Sequence, residues 1–119
     1  MRKLTKIEII TRPSKLEELK EALNAIGVAG MTVTQVFGCG LTKGHQEIYR
    51  GKAYNINLVP NIKLETVICE IPVELVVETA KRICRTGEVG DGKIFVYSLD
   101  NAVRIRTGEE GDIAIIDPD

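Results

Sequence analysis

The sequence predicts an α+β domain of the ferredoxin-like βαββαβ pattern, with one long loop and a short extra C-terminal strand. Three observations carry that reading. Two amphipathic helical stretches, opening at Pro13 and Pro72, each lie between β-rich runs. A polar, glycine-punctuated segment separates the two βαβ halves. The 119 residues show no internal repeat, which suits one domain with a small core.

The elements follow in order. "LTKIEIIT", residues 4–11, is rich in isoleucine and reads as a strand. After Pro13, Leu16, Leu19, Leu23 and Ile26 recur at helical spacing, and Gly27 marks the helix end. "MTVTQVFG" is a second strand by its β-branched content. Residues 39–53 read as an exposed loop, and "YNINLVPNIKLETVICEI" as a strand broken or bent at Pro60. Pro72 opens a helix whose apolar stripe is Val73, Val76, Val77, Ala80, Ile83 and Cys84. "TGEVGDG" is a glycine-rich loop, "KIFVYSL" a strand and "AVRIRTG" a shorter one. The acidic tail, about 109–119, is expected to be mobile, with Ile113, Ile115 and Ile116 available to dock. The sheet's open face is expected to carry alternating apolar residues, which self-association would cover.

Composition excludes several classes. A net charge of −1 gives no global field for nucleic acid or an anionic membrane. Cys39, Cys69 and Cys84 form no C-x-x-C, so a disulfide framework or structural zinc site is not expected. Cys69 and Cys84 read as packed small hydrophobes. The N-terminus does not read as a signal peptide, and no apolar run approaches the ~18 residues of a membrane span. A cytoplasmic location is expected.

"RTGEVGDGKIFVY" contains Gly87, Gly92 and Lys93 in the order G-x-x-x-x-G-K. A Walker loop also needs Ser or Thr after the lysine and a helix starting there. Ile94 follows instead, and the segment is β-forming, so the Walker reading fails. A plain glycine turn remains one reading. The other is an anion receptor: Gly87, Gly90 and Gly92 permit an amide nest, Lys93 adds a charge, and Arg104 and Arg106 fall on one face if "VRIRT" is a strand. Alternatively, those arginines pair with surface carboxylates. His45 stands alone in the exposed loop, and no nucleophile has an evident partner, so the chain reads as a binder, not an enzyme.

Four segments, "GMTVTQVFGCG", "KGHQEIYRGKAY", "TGEVGDGKIFV" and "AVRIRTGEEG", resemble the PII nitrogen-regulatory signal proteins in order and spacing. The resemblance covers residue 4 to about residue 111. It implies a ferredoxin-like homotrimer with nucleotide sites between subunits, where ATP and ADP compete and 2-oxoglutarate binds beside Mg-ATP. The long loop, about residues 39–56, would be the T-loop, which docks on targets such as an ammonium transporter or a metabolic enzyme. Carried over by position, Gly90, Asp91, Gly92 and Lys93 meet the phosphates, Gly38 and Gly40 approach from the next subunit, and Arg104 and Arg106 bind from the other side. Thr32 and Glu65 line the adenine and ribose part. Tyr54 matches the tyrosine that some members have uridylylated, and Lys52 replaces the serine that others phosphorylate.

Thr42, Lys43 and Asn61 fall at the effector-binding positions, and two of them depart from the family. Thr42 replaces a glutamine that helps organise magnesium and 2-oxoglutarate. Asn61 replaces a lysine that pairs with the distal carboxylate. Losing such a charge-assisted contact costs about 1.5–3 kcal/mol. Lys63 shares the face of Asn61 but lies about 6–7 Å further along. The resemblance therefore admits a variant: a carbon-regulatory sensor that reads ADP or AMP with bicarbonate or another small anion. Cys39, between Gly38 and Gly40, is expected to be a simple substitution.

Overall fold

In the computed structural model, residues 2–41, 48–49, 52–53 and 56–116 are described. β1 (Leu4–Thr11) leads through a 3-10 turn (Pro13–Lys15) into α1 (Leu16–Ala25). β2 (Thr32–Leu41) and β5 (Ile56–Ile68) flank a two-rung hairpin, β3 (Ile48–Tyr49) with β4 (Lys52–Ala53). α2 (Val73–Cys84), β6 (Lys93–Leu99) and a short α3 (Ile113–Ile116) complete the chain.

The main sheet runs β2-β5-β1-β6 and every pairing is antiparallel. With the small hairpin set aside, this is the strand order of the ferredoxin-like fold expected from the sequence. Alternation along the strands decides the faces. Ile7, Ile9, Ile62, Leu64 and Ile68 point to one side, where Leu19 and Leu23 of α1 and Val76, Ala80 and Cys84 of α2 close the core. Thr79 joins this buried set, although an apolar stripe does not reveal it. Its hydroxyl donates to the Leu75 carbonyl at 2.7 Å, which satisfies the buried group. Gly27, at φ 102°, ends α1 as predicted.

Pro60 does not break its strand. β5 continues through it, with Pro60 opposite Phe37 of β2. β1 ends opposite Ile62, so one flank of β5 at Pro60 carries no strand, and a residue without N–H is admissible there. The β2–β5 ribbon runs on to the Leu41–Ile56 pair, inside the stretch read as loop. Phe37 and Leu58 on this ribbon are each 69% exposed.

The open sheet face differs from the expectation of alternating apolar residues. Its centre is charged: Lys6 and Glu8 of β1 adjoin Lys63 and Glu65 of β5. The apolar side chains lie around that centre, at Ile10, Val36, Phe95 and Tyr97.

The "AVRIRTG" segment is not a strand. One isolated bridge, Val103 to Glu110, closes a turn over residues 105–107. Of the tail isoleucines, Ile115 and Ile116 line a groove with Gly30, Cys69 and Ile71, while Ile113 is exposed. Asp112 accepts a hydrogen bond from the Arg2 backbone N–H at 3.3 Å, which ties this segment to the chain start. Among the described residues, no helix is long and apolar enough to cross a membrane.

Candidate functional site

The glycine-rich loop runs from the end of α2 to the start of β6. Gly87, Gly90 and Gly92 all adopt positive φ, between 90° and 105°, as the sequence predicts. Gly92 has a second constraint: a Cβ there would collide with the Ile10 carbonyl oxygen and crowd Thr11. The loop is thus pressed against the end of β1.

Asp91 organises this loop. Its carboxylate accepts the Thr86 N–H at 2.8 Å, the Gly87 N–H at 2.9 Å and the Thr86 hydroxyl. Arg12 donates to it from Nε at 3.4 Å and from Nη2 at 3.3 Å. The same Nη2 donates to the Val89 carbonyl at 3.0 Å. The Asp91 carbonyl accepts from the Thr11 hydroxyl at 2.9 Å. These bonds, led by those from Thr86, hold the Asp91 carboxyl well below the usual carboxylate range.

Lys93 starts β6, exposed, directly opposite Ile10. Behind the loop, between α2 and β6, lies a groove of about 400 Å³ walled by Val77, Ala80, Cys84 and Ile94. Burial pushes the Cys84 thiol up, in keeping with a packed small hydrophobe. Cys69 is half-buried and Cys39 is exposed.

The register gathers several expected residues on the open face. Thr32, Glu65, Glu8 and Phe95 form one cross-strand row. Thr34, Lys63, Ile10 and Lys93 form the next, two residues along. Thr32, Glu65 and Lys93 therefore share one surface. Glu65 stands 3.6 Å from both Lys6 and Lys63. Gly38 and Gly40 lie on the ribbon, opposite Val59 and Asn57. The amide nitrogen of Asn61, in the orientation that completes its hydrogen bonds, donates to the Thr11 carbonyl at 3.2 Å and the Pro60 carbonyl at 3.1 Å. Asn61 also fills the space beside Gly38. Thr42, Lys43, His45 and Tyr54 lie outside the described residues.

The arginine pair is corrected. Arg104 and Arg106 do not share a strand face, because the segment that carries them is a turn. Arg104 is buried: its Nη1 meets Glu109 at 2.6 Å, and its Nη2 donates to the carbonyls of Ile113 at 3.1 Å and Ala114 at 3.3 Å. Arg106 is exposed. Both follow the C-terminal end of β6, whereas Lys93 is its first residue. A seven-residue strand spans about 20 Å. Within one chain, the arginines and the glycine loop therefore occupy opposite ends of the sheet.

Sequence reasoning missed Arg12, Thr86 and Thr11, which bond to Asp91. Thr86 stands inside the glycine-rich motif, where the glycines drew the reading, and Thr11 and Arg12 lie 80 and 79 positions from Asp91. Among the described residues, no group of three His, Cys, Asp or Glu is placed to hold a metal ion.

A four-stranded antiparallel sheet with two helices on one face and a glycine loop leading into its edge strand defines a small ferredoxin-like α+β domain. Comparison with known proteins narrows it. Residues 4–109 match the family model described as Nitrogen regulatory protein P-II. The chain is 51% identical over 110 residues to the nitrogen regulatory PII-like protein of Bacillus subtilis, covering 92% of this chain and 95% of that one. It is 50% identical over 112 residues to nitrogen regulatory protein P-II of Rhodospirillum rubrum, covering 94% and 100%. Two solved structures, B. subtilis GlnK and its ATP complex, superpose with TM-scores of 0.83 and 0.84 at 50% identity. They cover 94% of this chain, and 98% and 97% of their own chains. The chain belongs to the P-II nitrogen regulatory family. It is a regulatory protein, not an enzyme.

Proposed function

We propose that the protein is a homotrimeric sensor that binds ATP or ADP between subunits and reports the bound state to target proteins through the loop at residues 42–55. The observation that carries this is the separation of two cationic elements. The glycine loop with Lys93 lies at one end of the sheet, and Arg104 and Arg106 at the other. One chain cannot place both around a polyphosphate, whereas a neighbouring copy supplies the second set. Thr32 and Glu65, on the face shared with Lys93, would line the rest of the cleft. Gly38 and Gly40 stand on the ribbon that leads into the loop, so an occupant near them acts on the loop's base. The likeness to a B. subtilis GlnK–ATP complex supports the nucleotide. The loop would shift between conformers only as far as ATP and ADP differ in affinity for them. Targets of the class regulated by this family, an ammonium transporter or a metabolic enzyme, would read that shift. Sedimentation equilibrium with ATP, ADP and AMP titrations tests the reading. A trimer with one saturable nucleotide site per subunit is expected, and a monomer that binds none of the three would refute it.

A second reading changes the input and keeps the fold, and Asn61 favours it. Its amide nitrogen is turned to the carbonyls of Thr11 and Pro60, and an amide supplies no charge for a distal carboxylate. In this reading the partner of ADP or AMP is bicarbonate or another small anion. Mg-ATP affinity unchanged by 2-oxoglutarate supports it, and a clear gain removes it.

A further inference from the structure

We propose that Arg12 and Thr86 are positioning residues of the anion site, acting through Asp91 to hold the glycine loop in its phosphate-accepting form before ligand arrives; this rests on the nucleotide reading above. An aspartate inside a phosphate-binding loop is a chemical oddity, since its charge repels the ligand. The geometry removes the difficulty. Both carboxylate oxygens are turned into the loop, where Thr86, Gly87 and Arg12 donate to them.

Arg12 does two things that a lysine cannot do together. Its planar fork bonds the Asp91 carboxylate through Nε and Nη2, and Nη2 also takes the Val89 carbonyl. Its guanidinium lies against Gly90, within 3.2 Å of the place a Cβ would occupy. The Arg12 charge offsets the Asp91 charge, so the repulsion of that carboxylate toward an anion at Lys93 is reduced. Thr86 closes the other side. It donates to Asp91 from backbone and hydroxyl, and its hydroxyl oxygen also accepts the Glu88 N–H at 3.1 Å. The Thr11 hydroxyl, on the Asp91 carbonyl, and the tight seat of Gly92 on Ile10 fix the loop to β1. The loop backbone is therefore held at several points by the chain's own side chains. A site ordered in advance loses less freedom on binding.

The test titrates wild type, Arg12→Gln, Arg12→Lys, Thr86→Val and the Arg12→Gln/Thr86→Val double variant with ATP and with adenosine. Hydrogen exchange at the Thr86 and Gly87 amides is followed in the free proteins. Arg12→Gln and Thr86→Val are each expected to weaken ATP about tenfold and to leave adenosine unchanged. Both should speed exchange at the two amides. Arg12→Lys should recover part of the loss. The double variant should lose little beyond either single one, because both act through Asp91. Thr86→Val carries no charge change, so its loss of ATP affinity separates positioning from direct charge contact. Wild-type ATP affinity in Thr86→Val overturns the proposal, as does a parallel loss of ATP and adenosine. Failure of wild type to bind ATP would instead overturn the nucleotide reading beneath it.

Discussion

Thr86 and Asp91 close the glycine-rich loop on itself: the Thr86 N–H donates to the Asp91 carboxylate at 2.8 Å, and its hydroxyl donates to the same group. Because these bonds favour the charged form, Asp91 titrates below its ordinary value in the folded protein. An unfolded aspartate titrates near ~3.9. The unfolded chain therefore takes up the proton first, so this stabilisation is complete above that pH and is lost as pH falls through the folded value. In an NMR titration, the Thr86 and Gly87 amide shifts should stay flat down to about pH 4 and move only below it. A midpoint at the ordinary aspartate value would contradict the geometry.

Gly92 and Gly87 should respond differently to alanine. Gly92→Ala puts a methyl group into the Ile10 carbonyl at positive φ and should cost about 3 kcal/mol or more. Gly87→Ala meets nothing within 4 Å and carries only the backbone strain, about 1–2 kcal/mol. Urea denaturation of the two variants measures the difference.

These contrasts show what the sequence could and could not tell. β1, α1 and α2 were readable because each buries one face, and a buried face leaves a period in the sequence. β6 is mostly exposed and was readable from its β-branched and aromatic residues. The positive φ values followed from the glycines themselves. "VRIRT" misled because its alternation resembles a strand, while the turn is held by Arg104 reaching Glu109, Ile113 and Ala114. The break allowed for at Pro60 does not occur, because the tolerance of a proline there depends on where β1 ends. Arg12 was invisible because it lies 79 positions from Asp91, and only the β1–β6 pairing brings them together.

Arg104 is expected to matter to the fold. Its side chain is 6% exposed and that of Glu109 is 42%, so Arg104→Ala should lower stability by about 2 kcal/mol, discounted for the open partner. Arg106, exposed, should cost less on truncation to alanine. Under the intersubunit reading both variants weaken ATP. Thermal melts beside ATP titrations separate the two effects, and a wild-type melting temperature for Arg104→Ala would contradict the buried network.

On the second reading, Asn61 makes the protein indifferent to 2-oxoglutarate. Mg-ATP titrations with and without it are expected to coincide. Asn61→Ala should destabilise by about 1 kcal/mol through the orphaned Thr11 carbonyl, read by urea denaturation.

The central claim is that the loop ending in Lys93 holds the phosphates of a nucleotide. Calorimetric titration of wild type and Lys93→Ala with ATP tests it most directly. Saturable binding to wild type, weakened tenfold or more in Lys93→Ala, is expected from loss of one charge-assisted contact, about 1.5–3 kcal/mol. Equal affinity in the two proteins, or no binding to wild type, would contradict it.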